Sequence, residues 1–151
     1  MPFNWFRKRE SPKIVDNTFG ELWLENGFWS GEIDFEPAQT RIHLYLCDAG
    51  GRPVDSASAT FHEFSRRYAA LQPAFATELR KVFEPWYEEF WENKQPLEQG
   101  EKLASRFELF AVEIDASGVT RVEFGLKEGW DDAVFSVSLD GWVPKAMGVE
   151  D

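Results

Sequence analysis

Apolar and polar residues alternate in the first part of the chain. Gly20, Leu22 and Leu24 share one parity, and Phe19, Glu21, Trp23 and Glu25 take the other. A period of two belongs to a strand with one buried face, so the pattern predicts a strand over Thr18 to Glu25. Asn26-Gly27 follows, a dipeptide suited to a two-residue hairpin turn because both residues tolerate positive φ. Beyond it Trp29, Gly31, Ile33 and Phe35 alternate with Ser30, Glu32 and Asp34, which predicts the return strand. Ile42, Leu44 and Leu46, set between Arg41, His43, Tyr45 and Cys47, predict a third strand that ends in the turn-rich Asp48-Ala49-Gly50-Gly51-Arg52-Pro53. The three strands then share an apolar face and a polar one, with Trp23 and Tyr45 among charges on the latter.

The period changes in the middle of the chain. Phe61, Phe64, Tyr68 and Leu71 recur at helical spacing and predict a helix from about Ala57 to Leu71. Pro73 fits the first turn of a second helix, whose buried stripe is Phe75, Leu79, Val82, Phe83, Trp86 and Phe90, as far as about Asn93. Pro85 predicts a kink or short break near Val82 to Phe83. Lys94 to Lys102 lacks periodicity and reads as an exposed connection. Alternation returns in Phe110, Val112 and Ile114, turns at Asp115-Ala116-Ser117-Gly118, and continues in Val122, Phe124 and Leu126. After a connection over Glu128 to Asp132, Phe135, Val137 and Leu139 alternate again. Val143 to Val149 reads as a last strand that Pro144 confines to an edge. The order of strands, two helices and strands predicts an α+β fold, a largely antiparallel sheet with the helices packed on one face. Residues 14–151 read as a single domain behind a flexible basic-aromatic arm, residues 1–13.

Composition sharpens this picture. Fourteen Phe and seven Trp in 151 residues are enough for a core that needs no disulfide or metal staple. The acids number 27 against 16 Lys and Arg, a net charge of −11 that repels polyanions and argues against nucleic acid. A basic protein is the better electrostatic match. Cys47 is the only cysteine, which excludes an intramolecular disulfide and fits a cytoplasmic setting. No window approaches the roughly 20 apolar residues of a membrane span, so membrane insertion is not expected. Met1 to Glu10 lacks the apolar run of a secretion signal. Its Phe3, Trp5 and Phe6 beside Arg7, Lys8 and Arg9 suit a membrane interface, but the segment is too short to hold an acidic domain there, and a frayed or self-docked terminus is the simpler account.

The sequence has no phosphate loop, nucleophile elbow, paired-histidine metal helix or acidic calcium loop. No catalytic residue, cofactor or metal ligand is therefore assigned. His43 falls on the polar sheet face with Glu32 or Asp34 as a cross-strand neighbour and reads as a surface histidine before a base. His62 and Glu63 are adjacent on a helix and do not face one another. Cys47 has Arg41 as its one evident local cation and reads as an incidental thiol. Asp131-Asp132 after Trp130 is the most conspicuous acidic pair, with turn chemistry as its simpler explanation. Glu84, Glu88 and Glu92 are spaced by four on the second helix, and Trp91 falls about 60° from Glu88, away from the apolar stripe. A tryptophan ringed by carboxylates is what a hot spot for a basic partner needs, unless neighbouring chain covers it. Trp23, flanked by Glu21, Glu25, Glu32 and Asp34, is a second such patch, with cross-strand packing on Phe28 or Tyr45 as the competing account. The candidate partner-binding residues are thus Trp23, Glu84, Glu88, Trp91, Glu92, Trp130, Asp131 and Asp132.

Four segments carry a resemblance: Asp16-Asn17-Thr18-Phe19-Gly20-Glu21-Leu22, Phe28-Trp29-Ser30-Gly31-Glu32, the helical Arg67-Tyr68 with Leu71, and Gly129-Trp130-Asp131-Asp132. Together they resemble a group of small uncharacterised bacterial domains with a Phe-Gly-x-Leu, Trp-x-Gly opening and a short basic-aromatic N-terminus. The resemblance covers most of the chain and implies no reaction. By class, domains of this size and acidity are similar to bacterial immunity proteins, which block a toxin by direct binding. The leading expectation is a non-enzymatic, immunity-like protein-binding domain. The alternatives are a small-molecule or carbohydrate binder or hydrolase with a carboxylate pair in a cleft, and a structural subunit of a homo-oligomer.

Overall fold

A computed structural model of the chain describes residues 11–90, 101–127 and 132–150. Its elements are β1 (Lys13–Asp16), β2 (Gly20–Glu25), β3 (Phe28–Phe35), β4 (Thr40–Cys47), α1 (Ala57–Phe90), α2 (Glu101–Ala104), β5 (Phe107–Asp115), β6 (Gly118–Leu126), β7 (Val134–Asp140) and β8 (Val143–Glu150). The eight strands form one sheet in sequence order. All neighbouring pairs are antiparallel except β4 and β5, which run parallel. A parallel pair needs a long crossover, and α1 supplies it. The fold is α+β: two four-stranded meanders joined at a parallel seam, with one long helix packed on the sheet.

The hairpin between β2 and β3 turns at Asn26 and Gly27, with φ of 52° and 81°. Both lie in the left-handed region, which matches the twist of the flanking strands.

The expected pair of helices is a single helix of 34 residues that runs through Pro73 and Pro85. A proline removes one amide bond and crowds the carbonyl four residues back, at about 3 kcal/mol or more. Both prolines are exposed here, and so are Ala69 and Lys81, whose carbonyls they crowd, so water is within reach. The stripe Phe61, Phe64, Tyr68, Leu71, Phe75, Leu79, Phe83 and Trp86 meanwhile stays in phase and buried across Pro73 and Pro85. Burying each large apolar side chain contributes about 1.5–3 kcal/mol, so the continuous stripe outweighs two local defects.

Two other expectations shift, and one strand was not expected. The connection expected over Lys94 to Lys102 falls partly outside the described residues, and its end lies in α2, which buries Leu103. β1 is too short for periodicity to reveal. Phe110 does not share the buried face of Val112 and Ile114: a bulge between Leu109 and Ala111 shifts the register and leaves Phe110 40% exposed on the other face. Leu109 takes the buried position, opposite Phe124.

The core is largely aromatic. Phe35 stands 5.8 Å from Phe61, 5.5 Å from Phe64 and 5.1 Å from Tyr68, so the first half of α1 lies on the first meander. Phe83 lies 5.2 Å from Phe107 and 5.6 Å from Phe135, so the second half lies on the second meander. The sheet wraps around this helix. Phe19, just before β2, reaches Phe61 at 5.6 Å, while at the far edge the Ala146 amide of β8 donates to Glu78 Oε2 at 3.2 Å.

Candidate functional site

With α1 on one side, strand residues of the opposite parity form an open face. Cross-strand register sets Lys13, Trp23, Ser30, Tyr45, Glu113 and Arg121 in one row across the sheet. The adjacent row runs through Glu32, His43, Ala111, Glu123 and Ser136. Phe110, displaced by its bulge, packs its ring 4.9 Å from that of His43. The open face therefore joins residues of both meanders.

A shallow concavity of about 850 Å³ lies on this face where β2 leaves β3. Among the described residues the two strands pair over Trp23–Glu25 and Phe28–Ser30, and beyond that β2 stays with β1. Gly31 allows the close approach at the point of departure. A Cβ there would stand 2.7 Å from the Glu21 carbonyl oxygen and 2.8 Å from Leu22 Cδ2. Glu21, Trp23, Glu32, Arg41, His43 and Tyr45 line the concavity.

Its charges are internally linked. The Arg41 guanidinium donates to Glu32 at 3.2 Å and to Asp34 at 3.1 Å, and these two bonds raise its affinity for its proton. His43 Nδ1 lies 3.6 Å from the other oxygen of Glu32. Lys13 Nζ lies 2.8 Å from Glu21 Oε1 and 5.5 Å from the centre of the Trp23 ring. Nearer the seam, burial pushes the Tyr45 hydroxyl above the usual tyrosine range, and the charges of Glu123 and Glu25 push it further. Burial also raises Glu123, with Arg121 pulling it back and Glu150 and Glu113 adding to the rise. Arg121 Nε stands 3.2 Å from Glu123, and its Nη2 reaches Glu150 at 3.2 Å and the Ser136 hydroxyl at 3.1 Å.

The structure separates the two patches expected from sequence. Trp23 is 39% exposed on the open face, opposite Ser30, with Tyr45 one strand further on. Glu84 and Glu88 belong to α1 and so to the other side of the sheet. Glu84 accepts from Arg80 Nε at 3.1 Å, and Glu88 is exposed. Asp132 is exposed just before β7, whereas Trp91, Glu92, Trp130 and Asp131 lie outside the described residues.

His43 sits across from Glu32, as its strand parity implied. His62 is exposed, with Nδ1 2.7 Å from the Ser58 carbonyl oxygen. Cys47 is half-buried, its thiol 3.8 Å from the Asp48 carbonyl oxygen. Among the described residues no group of three or more His, Cys, Asp or Glu side chains is placed to hold a metal ion, and no helix is long and apolar enough to cross a membrane.

Sequence reasoning passed over Lys13, Phe110, Glu113, Arg121 and Glu123. Arg121 and Glu123 carried a signal, since they alternate with the buried Val122 and Phe124. Phe110 carried none, because the bulge that exposes it leaves no mark in the alternation.

No family model, curated protein or solved structure matches the chain. The functional reading rests on the geometry of the open face.

Proposed function

We propose that the chain is a non-enzymatic protein-binding domain that receives a basic segment of its partner on the open sheet face. One observation carries this reading. Trp23, Tyr45 and Phe110 are spread across a solvent-facing surface among Glu21, Glu25, Glu32, Asp34, Glu113 and Glu123. A surface of this sign steers a basic partner into encounter, and aromatic anchors then supply the short-range hold. The net charge of −11 acts in the same direction.

The carboxylates of the concavity favour binding over catalysis, because Glu32 and Asp34 both engage Arg41. An immunity-like role in the cytoplasm, blocking a basic toxin by direct contact, is the form of this reading that the size and acidity of the chain favour.

Retention of partners from an extract of the native host tests it. A basic protein held by the wild-type chain at low salt should be released at high salt. It should be lost from the Trp23→Ala, Glu32→Lys double variant and kept by Glu84→Lys, Glu88→Lys. The reverse pattern would move the site to the helix side and sink the proposal, as would failure to hold any basic protein.

A further inference from the structure

Lys13 is a cation already seated on the acidic face. It is the direct cross-strand partner of Trp23, with Nζ 5.5 Å from the ring centre and 2.8 Å from Glu21 Oε1. An ammonium against an indole face, closed by a carboxylate, is the contact set by which proteins grip a lysine or arginine side chain. The site remains accessible: Trp23 is 39% exposed, and the side chains of Lys13 and Glu21 are 45% and 56% exposed. An ion pair so open to water holds weakly, so its displacement meets little resistance. β1, which carries Lys13, is a four-residue edge strand whose register with β2 brings the lysine to the rim of the concavity.

We propose that Trp23 and Glu21 form the cation-recognition point of the open face, that Lys13 fills it in the free chain, and that a lysine or arginine of a basic partner protein binds by displacing Lys13. The proposal rests on the reading of the open face as the partner-binding surface. Arginine is the better occupant, because its planar guanidinium stacks on an indole and bonds a carboxylate through two N–H groups at once. Glu25, also on the concavity, is placed to take a flanking cation of the same segment. Lys13 thus acts as an internal competitor that sets affinity without touching the partner.

The test is a fluorescence-anisotropy titration of the full chain with a labelled hexa-arginine peptide at low salt. Lys13→Met keeps the aliphatic stem and removes the cation, and should tighten binding about two- to fivefold, the range of an exposed cation–π contact. The gain should vanish when Trp23→Leu is added. Lys81→Met, which removes the same charge from α1, should leave affinity within error of the wild type. If Lys13→Met matches Lys81→Met while Glu32→Lys still weakens binding more than Glu88→Lys, the competitor role of Lys13 is overturned and the open-face reading stands. If Glu32→Lys weakens binding no more than Glu88→Lys, or the peptide does not bind, both fall.

Discussion

The two faces of the sheet are drawn from the same strands, residue by residue, yet they differ in nearly every property. On the helix side Phe83 is fully buried and meets the rings of Trp86, Tyr87, Phe107 and Phe135 at 5.2–5.8 Å. On the open side Trp23 lies between Lys13 and water. The contrast shows that the aromatic richness of the chain is two properties. One set of rings builds the core, and a few others, placed by parity or by a bulge, are left where a partner can reach them.

The largest expected effect comes from truncating a ring on each face. Phe83→Ala should lower unfolding free energy by about 3–5 kcal/mol in urea titration, whereas Trp23→Ala, which loses its contact with Lys13, should lower it by about 1 kcal/mol. Comparable losses would mean that Trp23 is structural and that the contrast between the faces is false.

Gly31→Ala probes the point where β2 leaves β3. Its Cβ would meet the Glu21 carbonyl and Leu22, an overpacking that should cost about 1–3 kcal/mol. A variant that melts like the wild type would show that the two strands are not held this closely.

Titration gives the smallest and most diagnostic difference. On α1, hydrogen bonds from Arg66 and Arg67 hold Glu63 at about 2. Its folded value lies below the unfolded one, so its contribution is present above about pH 4.3 and is lost as pH falls towards the folded value. On the open face burial raises Glu123, and the sign reverses. The stabilisation that Glu123 brings is complete below about pH 4.3 and is lost as pH rises through its raised value. Glu123→Gln should therefore be at least as stable as the wild type at neutral pH, with the advantage fading in acid. Carboxyl-detected NMR should find Glu63 titrating well below Glu123, and the opposite order would undo the assignment.

Much of this was legible because alternation is a local signal. The Asn26-Gly27 turn, the faces of β2, β3, β4 and β7, the edge position of β8 and the exposure of Trp23 all follow from side chains two residues apart pointing the same way. The parallel pairing of β4 with β5 was not legible, since it depends on where α1 carries the chain. The unbroken helix was legible in part. The stripe keeps its phase across Pro73, but local proline chemistry argues for a stop, and only the exposure of Ala69 and Pro73 decides between them. Of the site, Trp23 and the acids of β2 and β3 could be read. The cluster of Phe110, Glu113, Arg121 and Glu123 depended on a bulge and on the seam.

That seam has a consequence for how the chain folds. Hairpins between successive strands close in about 1–10 μs, but β4 and β5 can pair only after α1 has bridged them, and contacts distant in sequence form slowly. In stopped-flow measurements Asn26→Ala, at a hairpin turn closed early, should chiefly slow refolding, and Val112→Ala, at the seam made last, should chiefly speed unfolding; the reverse would place the late step elsewhere. Trp23 and Phe110 belong to different meanders, so neither half presents the whole surface by itself. If the open face binds as proposed, competence to bind becomes a property of the finished chain, acquired at the last join.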